Sequence, residues 1–144
     1  MTESTVNAEM LKEAPFFAGL SPGDLAGIVQ TGVEVSFDAG EAIVREGDEG
    51  DGMYVLTSGV AEVDVGGRFH RLTKGDFFGE MALLSRGKRM ATVKAVEPVV
   101  ALKIQADGFR AFLEAHPTVA LSILEAVVGR LREVEQRLDA WMAS

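Results

Sequence analysis

The chain of 144 residues has no cysteine, one tryptophan, one tyrosine, two histidines and four prolines. Without cysteine there is no disulfide framework, no thiolate nucleophile and no thiolate metal site, a composition compatible with a reducing compartment. His70 and His116 fall in different segments with no further histidine or cysteine, so no metal is expected and solvated or capping roles suit both. Positive charge is also scarce, with 14 lysines and arginines against 22 aspartates and glutamates, a net charge of -8. That balance disfavours nonspecific attraction to nucleic acid or to an anionic lipid surface. No apolar run approaches the length of a membrane span. The opening residues, MTESTVNAEM, carry neither a positive leader nor an apolar core, so no signal peptide is expected and a soluble cytoplasmic protein is. Nucleophile motifs and Walker-type loops are missing too, which argues against an enzyme. Glu46, Asp48, Glu49 and Asp51 lack the spacing and closing glutamate of a calcium hand and read as a solvated, glycine-rich turn.

What is present is one domain's worth of chain, 1–144, with helical ends at 1–32 and 105–144 around a β-rich middle at 33–104. A first amphipathic helix is predicted from near Ser4 or Thr5, with Val6, Met10 and Leu11 on one face and a stop before Pro15. Ser21, Pro22 and Asp24 supply the cap, first position and first-turn carboxylate of a second helix that buries Leu25, Ile28 and Val29. From Val33 the period changes. Val33, Val35 and Phe37 alternate with Glu34 and Ser36, as in a half-buried strand. Short apolar runs at 42–44, 53–56, 60–65, 69–72, 92–95 and 99–104, punctuated by glycine-rich turns, predict a small antiparallel barrel or sandwich. Asp107 is the expected cap of a short helix to Ala115, and Pro117 opens a long one to about Met142. Leu124, Val127, Leu131, Val134, Leu138 and Trp141 recur three and four apart on it, a seam that needs a partner surface. Either this chain's own β region or a second copy satisfies that need.

Residues 77–95, FFGEMALLSRGKRMATVKA, concentrate the chemistry. Gly79 permits a tight turn, and Met81, Ala82, Leu83 and Leu84 suit one short buried helical turn whose unpaired N–H groups and positive dipole end favour an anion. Nine residues after Glu80 comes Arg89, whose planar guanidinium can hold a pair of phosphate oxygens. An internal salt bridge between Glu80 and Arg89 is the plainer alternative.

Phe78-Gly79-Glu80-Met81-Ala82-Leu83-Leu84 followed by Arg89-Met90-Ala91-Thr92-Val93 resembles the phosphate-binding cassette of the cyclic nucleotide-binding domain family. Asp38-Ala39-Gly40-Glu41, Glu46-Gly47-Asp48, Met53-Tyr54-Val55 and Ser58-Gly59 resemble that family's β-roll signatures. The resemblance covers nearly the whole chain. It implies an α+β fold, an antiparallel, jelly-roll-like β-roll flanked by N-terminal helices and a long C-terminal helix, with a short phosphate-binding helix inserted. It also implies a non-enzymatic sensor of a cyclic nucleotide. By position, Arg89 pairs with the cyclic phosphate and Glu80 accepts from the ribose 2′-hydroxyl. Gly79, Ala82 and Ala91 offer backbone contacts, Met81 belongs to the same set, and Leu83 helps to line the pocket. Lys88 stands where the family often has proline. Met90 occupies the place where members preferring cyclic GMP carry a threonine or serine hydroxyl, so cyclic AMP is expected to bind in preference to cyclic GMP. Trp141 either stacks on the adenine from the C-terminal helix or is a seam residue of a helix pair. The helices beyond Ile104 are expected to relay binding to a downstream protein of unknown identity. A ligand-free β-roll used as a dimerisation or interaction scaffold, or the sensor segment of a larger transcription regulator, are the alternatives. In the transcription-factor branch a helix-turn-helix follows the long helix, whereas Ser144 ends this chain there, so no direct nucleic acid contact is expected from it.

Overall fold

A computed structural model of the chain describes residues 8–143. The predicted helix start near Ser4 or Thr5 and its Val6 lie outside the described residues, and the first described helix is α1, Ala8–Leu11. A 3-10 turn, Pro15–Phe17, and α2, Pro22–Gln30, complete the N-terminal helical layer. The start of α2 is as the sequence requires: Ser21 Oγ accepts the Asp24 N–H at 3.1 Å, Pro22 takes the first position, and Leu25 and Ile28 are fully buried.

Beyond α2 run eight strands: β1 Gly32–Phe37, β2 Ala42–Val44, β3 Gly52–Ser58, β4 Ala61–Val65, β5 Arg68–Leu72, β6 Phe77–Phe78, β7 Thr92–Ala95 and β8 Val99–Gln105. They form two four-stranded antiparallel sheets, ordered β1-β8-β3-β6 and β2-β7-β4-β5. The result is an α+β fold, a β-roll flanked by helices. One core lies between the sheets, built from Ile43, Tyr54, Leu56, Val63, Val93, Val99 and Ala101 among others. A second joins the β1-β8-β3-β6 sheet to the helices through Leu11, Phe17, Leu25, Ile28, Met53, Val55, Leu83, Ile104, Phe109, Val119 and Ile123. Strand β3 is buried on both faces, because Met53 and Val55 point to the helical core and Tyr54 and Leu56 to the other. That is why 53–56 reads as a continuous apolar run rather than an alternating one.

Two expectations shift. Val35 and Phe37 pack against the inter-sheet core, but Val33 is 48% exposed. Along that face of β1, Phe37 and Val35 lie opposite the buried Val99 and Ala101 of β8, whereas Val33 lies opposite Lys103. Asp107 does not cap the short helix α4, Ala106–Ala115. Strand β8 continues through Gln105, which takes the cap position, and leaves Asp107 inside the first turn, where its charge still favours the helix dipole.

Helix α5, Pro117–Ala143, is 27 residues long and bent by 115° from α4. At the elbow the His116 ring stacks on Phe112 at 4.3 Å, with Nδ1 3.0 Å from the Phe112 carbonyl oxygen. Val119, Ile123 and Val127 pack on the helical core, whereas Leu124, Leu131, Val134 and Leu138 are exposed. Among the described residues no single helix is long and apolar enough to cross a membrane.

Candidate ligand-binding site

Strand β6 pairs with β3 (Tyr54 opposite Phe78) and delivers the chain to Gly79, which sits at φ +82° and turns it into α3, Met81–Leu84. A Cβ at Gly79 would lie 2.5 Å from Arg89 Nη1 and 2.9 Å from the Gly52 carbonyl oxygen, so sterics as well as backbone angle demand glycine. Helix α3 is a single turn, and its dipole is correspondingly small; its contribution is N–H groups. The amides of Ala82 and Leu83 are bonded locally to the carbonyls of Gly79 and Glu80, and those of Gly79, Glu80 and Met81 have no acceptor among the described residues. Glu80 makes no side-chain cap, and among the described residues its carboxylate has neither a hydrogen-bond nor an ion-pair partner.

Arg89 is held elsewhere. Its Nη2 donates to the Gly52 carbonyl at 2.8 Å and pairs with Asp51 Oδ1 at 3.3 Å, while the side chain as a whole is 7% exposed. The internal Glu80–Arg89 pair is therefore not formed, and Asp51 takes that place. Nη1 and Nε keep their donors, since no acceptor for them exists among the described residues. Asp51 Oδ2 also accepts from Lys103 Nζ at 2.9 Å, and both cations lie over the Tyr54 ring, 5.9 Å and 5.5 Å from its centroid. Partial burial alone would raise the Asp51 carboxyl; the Lys103 hydrogen bond and the charges of Lys103 and Arg89 outweigh it and hold its pKa below the ordinary value. Burial likewise opposes the Lys103 charge, and the Asp51 hydrogen bond leads the effects that raise its pKa nonetheless.

The acidic loop before β3 is not a free turn. Arg89 N–H donates to Asp48 O at 2.7 Å, Gly47 N–H to Arg89 O at 2.9 Å, Gly50 N–H to Gly87 O at 2.8 Å, and Glu46 N–H to Thr92 Oγ1 at 3.0 Å. These four bonds make it a rail that fixes the backbone on either side of the arginine. Sequence reading missed this role because loop and cassette lie about forty residues apart; the one hint was a run of carboxylates directly before the most buried strand.

A cavity of about 390 Å³ opens beside these groups, within the range of small-ligand sites. Gly79, Glu80, Met81, Ala82, Arg89, Met90 and Ala91, all predicted from sequence, line it, as do Arg86 and Lys88 at the rim. Val44 and Val63, expected only as members of apolar strand runs, join Phe78 and Val93 of the 77–95 stretch in an apolar wall. Leu83 is not among the lining residues; at 1% exposure it sits in the helical core beneath α3. Nor is Trp141, 77% exposed near the end of α5. The cavity thus joins one fixed cation with spare donors, backbone N–H groups, one unpaired carboxylate and an aliphatic wall. That set suits a small anion bearing a hydroxyl and a flat apolar group.

Such a roll, with a glycine turn and a one-turn helix inserted between β6 and β7 beside a cavity, has the form of a small-ligand-binding module. The cyclic nucleotide-binding domain model matches residues 34–116, and the chain belongs to that family. Two relatives are a cAMP-dependent protein kinase regulatory subunit of Emericella nidulans, 40% identical over 72% of this chain and 26% of its own length, and a cGMP-dependent protein kinase of Toxoplasma gondii, 43% identical over 89% and 12%. Among solved structures, the N-terminal domain of a transcriptional regulator from Streptomyces coelicolor A3(2) is similar at a TM-score of 0.78 and 31% identity, covering 88% of this chain and 95% of that one. The chain spans less than a third of the length of the curated relatives it matches.

Proposed function

We propose that this chain is a non-catalytic sensor module that binds 3′,5′-cyclic AMP in preference to cyclic GMP and relays occupancy through its C-terminal helices. The observation that carries the reading is Arg89, a nearly buried guanidinium anchored through Nη2 alone, with its remaining donors beside a cavity that also holds the unpaired Glu80. In this reading Arg89 takes the cyclic phosphate, with backbone contacts from Gly79, Ala82 and Ala91 and with Met81 at their side. Glu80 accepts from the ribose 2′-hydroxyl, and the valine wall receives the base. Leu83 serves from below by seating α3 on the core.

The preference rests on Met90, whose thioether cannot donate to the guanine amino group. Relatives named for cyclic AMP and for cyclic GMP both resemble the chain, so resemblance does not separate the two nucleotides. A relay route is available. Asp51 joins Arg89 to Lys103 on β8, and its carbonyl accepts the N–H of Ala106, the first residue of α4, at 2.9 Å. A phosphate that draws on Arg89 weakens its hold on Asp51 and so acts on the start of α4. The exposed part of the α5 seam is assigned to a second copy of the chain, as a homodimer, with a further protein as the downstream partner in the cytoplasm. Trp141 covers the base only if α5 repacks; otherwise it belongs to the seam.

Thermal unfolding with cyclic AMP, cyclic GMP and 5′-AMP in parallel tests the reading. Cyclic AMP is expected to raise the melting temperature most, with about 2.7 kcal/mol of stabilisation at a hundredfold excess over Kd, and 5′-AMP not to raise it. An equal shift with cyclic GMP removes the preference, and no shift with either cyclic nucleotide leaves the scaffold reading in its place.

A further inference from the structure

Three strands contribute the apolar wall of the cavity in one cross-strand row. Val44 of β2 lies opposite Val93 of β7, and Val93 lies opposite Val63 of β4. The row does not stop there. On the edge strand β5 the residue opposite Val63 is His70. Residues directly opposite one another share a face of the sheet, and each strand is a step of about 4.8 Å. His70 is not among the residues that line the cavity; it stands one step beyond the valine wall, on the same face of the sheet. Its neighbours on that face of β5 fix the boundary, because Leu72 packs against the inter-sheet core and Arg68 is exposed. His70 is itself exposed, and no hydrogen-bond or ion-pair partner for it exists among the described residues.

The wall offers a base nothing polar. Val44, Val63, Val93 and Phe78 are hydrocarbon, and Met90 donates no hydrogen bond, yet every nucleobase carries donors and acceptors along its edge. Neutral imidazole presents one donor and one acceptor. We propose that His70 reads the polar edge of a purine laid along this row, making it a specificity-determining residue of the cyclic nucleotide site. The inference rests on the proposed function, with the phosphate at Arg89 and the sugar at Glu80. A bicyclic base extended along the row reaches further towards β5 than a monocyclic one, so His70 discriminates purine from pyrimidine.

The test is calorimetric titration of the whole chain with cyclic AMP and with 3′,5′-cyclic CMP, using the unaltered protein, His70→Ala and His70→Gln. One net hydrogen bond corresponds to a roughly three- to tenfold change in affinity. His70→Ala is expected to weaken cyclic AMP by that factor and to leave cyclic CMP within about twofold. His70→Gln, whose amide keeps a donor and an acceptor, is expected to recover most of the loss. Unchanged cyclic AMP affinity in His70→Ala, or an equal loss for both nucleotides, overturns the inference while the proposed function stands. An unaltered protein that binds neither nucleotide overturns both.

Discussion

Arg89 connects most of the observations at the scale of single residues. Its guanidinium meets the Gly52 carbonyl, Asp51 and the Tyr54 face through one side and keeps Nη1 and Nε without an acceptor among the described residues, beside the cavity. Lysine, with a compact ammonium, cannot satisfy both sides at once. Arg89→Ala should cost about 2–5 kcal/mol of cyclic AMP binding, tens- to thousands-fold in Kd by calorimetry, because the ligand's charge then sits unpaired in a partly desolvated site. Affinity unchanged by the substitution would remove the assignment. That Arg89 and Glu80 lie together was legible in the sequence because they share one short stretch with Gly79, and the structure places both in the lining of one cavity. Asp51 was not, since it lies 38 residues from Arg89 and only the pairing of loop and cassette brings them together.

Among the elements, the turn at Gly79 and the one-turn helix α3 are the most constrained. Alanine at 79 meets a positive φ and two close atoms, Arg89 Nη1 and the Gly52 oxygen. The backbone angle alone costs about 1–2 kcal/mol, and the melting temperature should fall by roughly 3–8 °C in the absence of ligand. Because the new methyl displaces the guanidinium, cyclic AMP affinity should fall as well; a variant that loses stability but binds normally would show that Arg89 is not set by this turn. Most strands were readable from alternation and glycine punctuation. Strand β6 was not, because Phe77–Phe78 is too short to show a period and is a strand only through its pairing with β3. The cap of α4 was misplaced for a related reason: nothing local in Gln105 or Asp107 shows that β8 continues one residue further.

On the scale of the whole molecule, the outer part of α5 is the feature that the rest of the fold leaves unused. Its first turns pack on the helical core, and Leu131, Val134 and Leu138 project beyond it. Sedimentation at tens of micromolar should give a species of about twice 15.4 kDa, and Leu131→Glu with Leu138→Glu should return it to the single-chain mass. A single-chain mass for the unaltered protein would remove the homodimer. The primary sequence carries the succession of helices and most of the strands, and the stretch that joins Gly79, Glu80 and Arg89, because hydrophobic period, glycine spacing and residues nine positions apart are local properties. Packing across the fold establishes that Asp51 rather than Glu80 holds Arg89, that Leu83 lies beneath the cavity, that valines from three strands join Phe78 in its wall, and that His70 ends the valine row. Those relations depend on strand register and on loops meeting across tens of residues, and register is fixed by the packing of the whole sheet rather than by any one segment.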